Sequence, residues 1–409
     1  MYSIRRCVLA CVLGAAGAVA QAQASAAPDE PRISLGAAIE SAWLRSVQAR
    51  EAAAQQSGAE AARSAAGALW ARAPALELGY RTDRGGNPGG GRESELGLAW
   101  PLWLPGQQTA RQNAADAQGQ LAQDSARLLK LRVAGEVREQ AWGLQLLLAE
   151  WQQAQARAET LEQLASDVAR RVQSGDLARS DAMAARAELL DALALRTEAG
   201  QRLSEARARW QVLTGQALAP EPSEPAVPEP AVLDETHPEL AQANRALALS
   251  RSRLDLVQHS RRDAPELAVG YRHEQGAGGS TQDSVGVKLR LPFGTQDRNL
   301  PLEAAARGEL DVADTRAQRL REQLGATLEA SRLALRNAQA RAEAERERAA
   351  LLQERAGLLR RAFAAGELAL PELLRALSAA SQAQAAWARQ QAALGLARAR
   401  YQQALGWLP

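Results

Sequence analysis

The chain repeats itself in register. Residues 73–81, Ala-Pro-Ala-Leu-Glu-Leu-Gly-Tyr-Arg, return at 264–272 as Ala-Pro-Glu-Leu-Ala-Val-Gly-Tyr-Arg. Gly175-Asp176-Leu177-Ala178, preceded by Arg170-Arg171, returns as Gly366-Glu367-Leu368-Ala369, preceded by Arg360-Arg361. Arg207-Ala208-Arg209-Trp210 returns as Arg398-Ala399-Arg400-Tyr401. Tyr80 to Tyr271, Gly175 to Gly366 and Trp210 to Tyr401 share one offset of 191. A duplication kept in step over this span requires a pseudo-symmetric fold built from two equivalent units.

Composition constrains what those units contain. Aromatics make up 4% of the 409 residues, Phe and Met number two each, and alanine dominates the apolar fraction. Such a chain has few of the large side chains that fill a globular core, but it suits long helices packed at short range. The net charge of +2, with Arg and Glu interspersed, gives no basic patch for nucleic acid. Residues 1–24 read as a signal peptide: Arg5 and Arg6, an apolar run from Val8 to Ala20, then Ala22-Gln23-Ala24 at the expected cleavage positions. Cys7 and Cys11 both fall within it, so the mature chain has no thiol or disulfide chemistry. Cys11 after Leu9-Ala10 faintly resembles a lipidation site but sits too early to leave a proper apolar region, so lipidation is not expected.

Along the mature chain the apolar period alternates between helix and strand. The first unit, 25–215, opens with a helix expected over 35–70, capped by Ser34. A hairpin follows over 74–103, in which Leu76, Leu78, Tyr80 and then Leu96, Leu98, Trp100 alternate with polar or small residues. Its Gly-rich turn spans 82–92. A proline-free stretch then predicts a long helix over 106–172, a tip turn at Gly175 and a return helix from 179. The second unit, 239–409, repeats this with a hairpin over 265–291, a turn over 273–283, a helix over 302–364, a turn at Gly366 and a return helix from 371. A Pro/Glu-rich connector, 216–238, joins the units. The fold class is therefore mainly α with a small β part: duplicated long antiparallel coiled-coil helices plus two β-hairpins.

Four half-apolar strands cannot close on themselves, and open edges are not tolerated in hydrocarbon. Their length fits an outer-membrane barrel, whose smallest form needs about eight strands, so the chain calls for an oligomer, most simply three copies with twelve strands. Tyr80, Trp100, Trp103 and Tyr271 are the candidate membrane-interface aromatics. The competing reading places the hairpins in water, packed on helices.

In its duplicated helix–hairpin–long helix–turn–helix layout, the Pro105-Gly106 after the first hairpin and the two tip turns, the chain resembles the TolC family of outer-membrane factors. The stretch 366–374, Gly-Glu-Leu-Ala-Leu-Pro-Glu-Leu-Leu, is closest to its heavy-metal efflux branch. The resemblance implies a homotrimeric twelve-stranded barrel in the outer membrane of a Gram-negative bacterium, continued by a periplasmic α-helical barrel. It would be a passive duct in a tripartite export system. Its partners would be a periplasmic membrane-fusion adaptor, an inner-membrane RND or ABC pump reached through that adaptor, and outer-membrane lipid. The resemblance puts Glu77, Arg81, Arg272, Lys288 and Arg290 in the lumen. It puts adaptor docking at Arg171, Gly175, Asp176 and Leu177 and at Arg361, Gly366, Glu367 and Leu368, and makes Asp181 and Glu372 a candidate acidic ring at the entrance. Heavy-metal cations or drugs are the implied cargo.

The chain carries no recognisable catalytic motif. His237, His259 and His273 are the only histidines, and no zincin, Walker, dinucleotide-binding or nucleophile-elbow pattern occurs. No enzyme activity, cofactor or resident metal is expected. The rival from another class is a periplasmic coiled-coil adaptor or scaffold without a channel.

Overall fold

A computed structural model describes residues 34–83, 91–217, 222–224, 232–276, 279–294 and 296–408. The signal peptide, most of the first hairpin turn and about half of the connector lie outside these residues.

The helix expected over 35–70 is two helices, α1 (Leu35–Arg45) and α2 (Val47–Ala66). Ser46 makes the break. It adopts an extended conformation, its N–H donates to Trp43 O, and its Oγ accepts the Ala49 N–H at 3.0 Å while donating to Trp43 O at 2.7 Å. A serine that caps one helix and starts the next satisfies an end group of each at once.

Four strands follow in two pairs: β1 (Ala75–Thr82) with β2 (Arg92–Pro101), and β3 (Glu266–Gln275) with β4 (Thr281–Arg290). All pair antiparallel in one sheet of order β1-β2-β3-β4, so the two copies of the hairpin join through β2 and β3. The second turn is shorter than the expected 273–283. His273 to Gln275 extend β3 and Thr281 to Asp283 extend β4. Alternation stops there because both faces are polar, yet the backbone ladder continues. Within the chain β1 and β4 are both edge strands.

The long elements are α3 (Gln107–Gln173, 67 residues) and α6 (Gln296–Ala364, 69 residues), each about 100 Å long at 1.5 Å per residue. They fold back into α4 (Arg179–Thr214) and α7 (Leu370–Ala404), while α5 (Pro238–His259) lies between α3 and α6. The α6 helix begins before Pro301 rather than after it. Its first turns are tied to the segment after α5 by Arg298–Asp263 at 2.6 Å and Arg261–Glu303 at 3.2 Å, which offset the backbone hydrogen bond that proline removes.

The core is a string of small clusters rather than one mass. Leu35, Ile39, Val137, Leu144, Leu203 and Trp210 form one, and Leu328, Leu335 and Tyr401 form its counterpart in the second unit. Trp210 and Tyr401 are both fully buried at equivalent positions of the duplication. Buried alanines between the clusters bring the helix backbones close, as the composition requires.

Candidate functional site: sheet faces, inter-repeat seam and helical tips

The strand register sorts the sheet residues into two chemically distinct faces. Leu76, Leu98, Val269 and Val287 lie side by side across the four strands, and so do Leu78, Leu96, Tyr271 and Val285. Trp100, Leu267 and Leu289 complete the face on the helix side. Apart from the half-buried Trp100 and Leu267, these apolar side chains are exposed, Leu78 by 75% and Val285 by 74%. An apolar patch this continuous is far from the scattered exposure of a soluble surface. Its turn-side limit is polar: Asp283 accepts from the Tyr271 hydroxyl at 2.8 Å and pairs with His273 at 2.6 Å, in the row shared with Tyr80. Trp100 at the helix side faces Trp70 with ring centroids 6.3 Å apart. Trp103 lies beyond the strand, where its Nε1 donates to Ala68 O and Arg111 stands over its ring.

The opposite face carries the charges. Glu77, Arg81, Arg272, Lys288 and Arg290 all fall on it by alternation, together with Glu93, Glu95 and Glu274. Arg272 bridges Glu93 at 2.7 Å and also pairs with Glu95. Next to these, Gly97, Gly270 and Gly286 lie in one row with Glu77, leaving that level of the face without bulky side chains.

The two units are held together along an antiparallel seam between α3 and α7. From the sheet end toward the tip it comprises Gln403 Nε2 to Leu131 O at 2.8 Å, the two-point Arg400–Glu139 pair at 2.6 and 3.0 Å, and Arg389–Glu150 at 2.8 Å. Trp142 of α3 presses on Gly395 of α7, where a Cβ would fall 2.0 Å from the indole ring. Beside it lies a buried ion pair. Arg138 is 1% exposed and makes three hydrogen bonds: Nε to Glu224 Oε1 at 3.2 Å, one terminal nitrogen to Gln403 Oε1 at 2.8 Å, the other to Trp407 O at 3.1 Å. Burial pushes the Glu224 carboxyl up and the Arg138 guanidinium down from their ordinary values, and each opposes the shift of the other. Trp142 faces Glu224 and helps hold its carboxyl down, but among the described residues its N–H and Glu224 Oε2 complete no well-formed hydrogen bond. Arg138 thus ties α3, the connector and the C-terminal turn together at one point.

At the far end, α3 and α6 close in tight turns whose Gly175 (φ 88°) and Gly366 (φ 81°) take the left-handed conformation that other residues resist. Both glycines are exposed, as are Asp176 and Glu367 beside them. Leu177 and Leu368 are half-buried against a cluster of Val168, Ala185, Phe363, Leu370 and Leu373, so they pack the tip itself. Arg171 also turns inward: it donates to Phe363 O at 3.1 Å with its guanidinium 4.9 Å from the Phe363 ring, linking the two tips. Arg361 is exposed. Asp181 accepts the Ala178 N–H at 3.3 Å at the start of α4, whereas Glu372, at the matching place in α7, is exposed.

Sequence reasoning missed Arg138–Glu224, Trp142–Gly395 and Arg171–Phe363. Only the second left a signal, a lone glycine inside an otherwise helical, alanine-rich stretch.

This arrangement matches that of solved outer-membrane proteins. The outer membrane protein VceC of Vibrio cholerae is similar with a TM-score of 0.75 at 15% identity, over 91% of this chain and 96% of that one. CusC, described in connection with transmembrane channel formation, matches with a TM-score of 0.75 at 16% identity, over 92% and 93%. The open state of the MtrE outer membrane channel of Neisseria gonorrhoeae matches with 0.72 at 16% identity, over 91% and 89%. The chain has the fold of the TolC-type outer-membrane channels. Neither a family model nor a curated protein matches it by sequence. Within this channel fold no helix among the described residues is long and apolar enough to cross a membrane, and no cluster of three or more His, Cys, Asp or Glu is arranged to hold a metal ion.

Proposed function

We propose that three copies of the chain form a passive outer-membrane duct that completes a tripartite export assembly. One observation carries this reading: a four-stranded sheet, leucine-rich on one face and charged on the other, with both edges unpaired and mounted on helices about 100 Å long. Three such sheets joined β4 to β1 close a barrel of twelve strands with lipid outside and charge inside. In this reading the hairpin turns face the exterior, Tyr80, Tyr271, Trp100 and Trp103 mark the membrane interfaces, and the helices cross the periplasm. A soluble scaffold would leave the whole apolar face in water. The chain is expected to fractionate with outer membranes and to migrate at trimer size in mild detergent. Recovery as a periplasmic monomer would end the duct reading.

The tips are the proposed adaptor-docking surface, through Gly175, Asp176, Gly366, Glu367 and Arg361. Leu177, Leu368 and Arg171 contribute by shaping the turns from within. Reversing both exposed charges, Asp176→Lys with Glu367→Lys, is expected to cut export at least about tenfold, since a docking surface loses charge complementarity, while leaving the trimer in the membrane. Unchanged export would remove the docking assignment. Repeated around a threefold axis, Glu372 would add negative charge at the entrance, and Asp181 would join it from its cap. The pump, RND or ABC, would drive cargo, either heavy-metal cations or drugs, through a lumen without selective sites.

A further inference from the structure

His237 starts α5 in an uncommon way. Its Nδ1 accepts the backbone N–H of Glu239 at 3.2 Å, a task usually given to Ser, Thr, Asp or Asn. An accepting ring nitrogen carries no proton, so the proton of the neutral ring sits on Nε2. That atom is buried with no hydrogen-bond partner among the described residues, in a side chain only 3% exposed. The same ring packs on Gly406, where a Cβ would lie 2.6 Å from Cδ2. Gly406 belongs to the C-terminal turn whose next carbonyl, that of Trp407, is held by Arg138. One imidazole therefore fastens both the first turn of α5 and the end of the chain.

We propose that His237 is an acid-sensitive clasp that releases the first turn of α5 and the C-terminal turn when its ring takes up a second proton. The proton comes from solvent and binds the Nδ1 lone pair. The hydrogen bond from Glu239 N–H is lost and two N–H donors then oppose each other. The surrounding charges do little to prevent this. Glu239 attracts the positive ring, Asp234 is engaged by the Thr236 N–H at 3.0 Å, and Glu235 is held by Arg321 of α6 at 2.8 Å. On the C-terminal side Arg138 is closed on Glu224.

Burial outweighs Glu239 and holds the imidazole below its ordinary value of 6.5. The unfolded chain thus binds this proton more tightly than the folded one. The stabilisation is complete above 6.5 and is lost as pH falls through the depressed folded value. Glu224 has the opposite sign: its raised carboxyl makes proton uptake favour the folded chain, so acid weakens this junction through His237 and not through the ion pair.

Amide hydrogen exchange on the full-length chain in detergent, corrected for intrinsic rates, tests the clasp. Between about pH 7.5 and about pH 5 the first turn of α5 is expected to lose protection about tenfold, the scale of a lost cap. His237→Asn keeps an acceptor that does not titrate and is expected to hold its protection across the same range. Equal loss in H237N, or no loss in the unsubstituted chain, overturns the proposal. If H237N fails to assemble, His237→Ser supplies the same comparison.

Discussion

Replacing Arg138 with methionine is expected to destabilise the protein by about 3–5 kcal/mol, the cost of leaving a buried carboxylate without its cation. Methionine matches the length of the arginine stem but leaves Glu224 with a desolvated charge and strips Gln403 Oε1 and Trp407 O of their shared donor. Glu224 cannot turn to water, since both side chains of the pair are almost wholly buried. Removing both charges, as Arg138→Met with Glu224→Leu, is expected to recover most of the loss, because a buried ion pair gains little over an apolar pair of similar volume. The measurement is a denaturant or thermal melt of the purified chain with both single variants and the double. A melt of R138M indistinguishable from that of the parent would show that the pair does not anchor the junction.

The second large effect is expected at Gly395. Alanine there would add a methyl group 2.0 Å from the Trp142 ring, so either the indole or the α7 backbone must move. Elsewhere in an α-helix the same change stabilises by about 1 kcal/mol, because alanine is the better helix former. Here it is expected to destabilise by about 1–3 kcal/mol, the usual cost of overpacking, and Gly395→Val by more. The reversal of sign identifies the contact. Combining G395A with Trp142→Ala should restore the ordinary alanine advantage relative to Trp142→Ala alone. A stabilised G395A single variant would mean that the helices do not approach so closely.

Much of the architecture was legible before any tertiary contact was known. Leu76, Leu78 and Tyr80 alternating with Glu77, Gly79 and Arg81 determine both a strand and which of its faces is apolar, since side chains point to opposite sides with period two. The long helices follow equally directly from 60-odd proline-free residues ahead of each tip glycine, although α6 also runs back through Pro301. Ser46 was not legible as a break, because serine is common inside helices and only its double capping role, seen with Trp43 and Ala49, reveals the end of α1. The tips were legible as turns but not in their chemistry. Leu177 and Leu368 look like free apolar anchors in the sequence, whereas the fold places them against Phe363 and Leu370.

By itself the sequence determined the duplication, the order of helix and strand, the two-faced sheet and the positions of the tips, all of which follow from local periodicity and from glycine and proline. Only the tertiary structure decided which helices neighbour one another and which charges are buried. Alanine–leucine stripes fit almost any partner helix, and some fifty arginines and lysines look alike in one dimension. Selecting α3 against α7, Arg138 against Glu224 and Trp142 against Gly395 depends on rotation about helix axes and on shape at contact, and these exist only once the helices are packed.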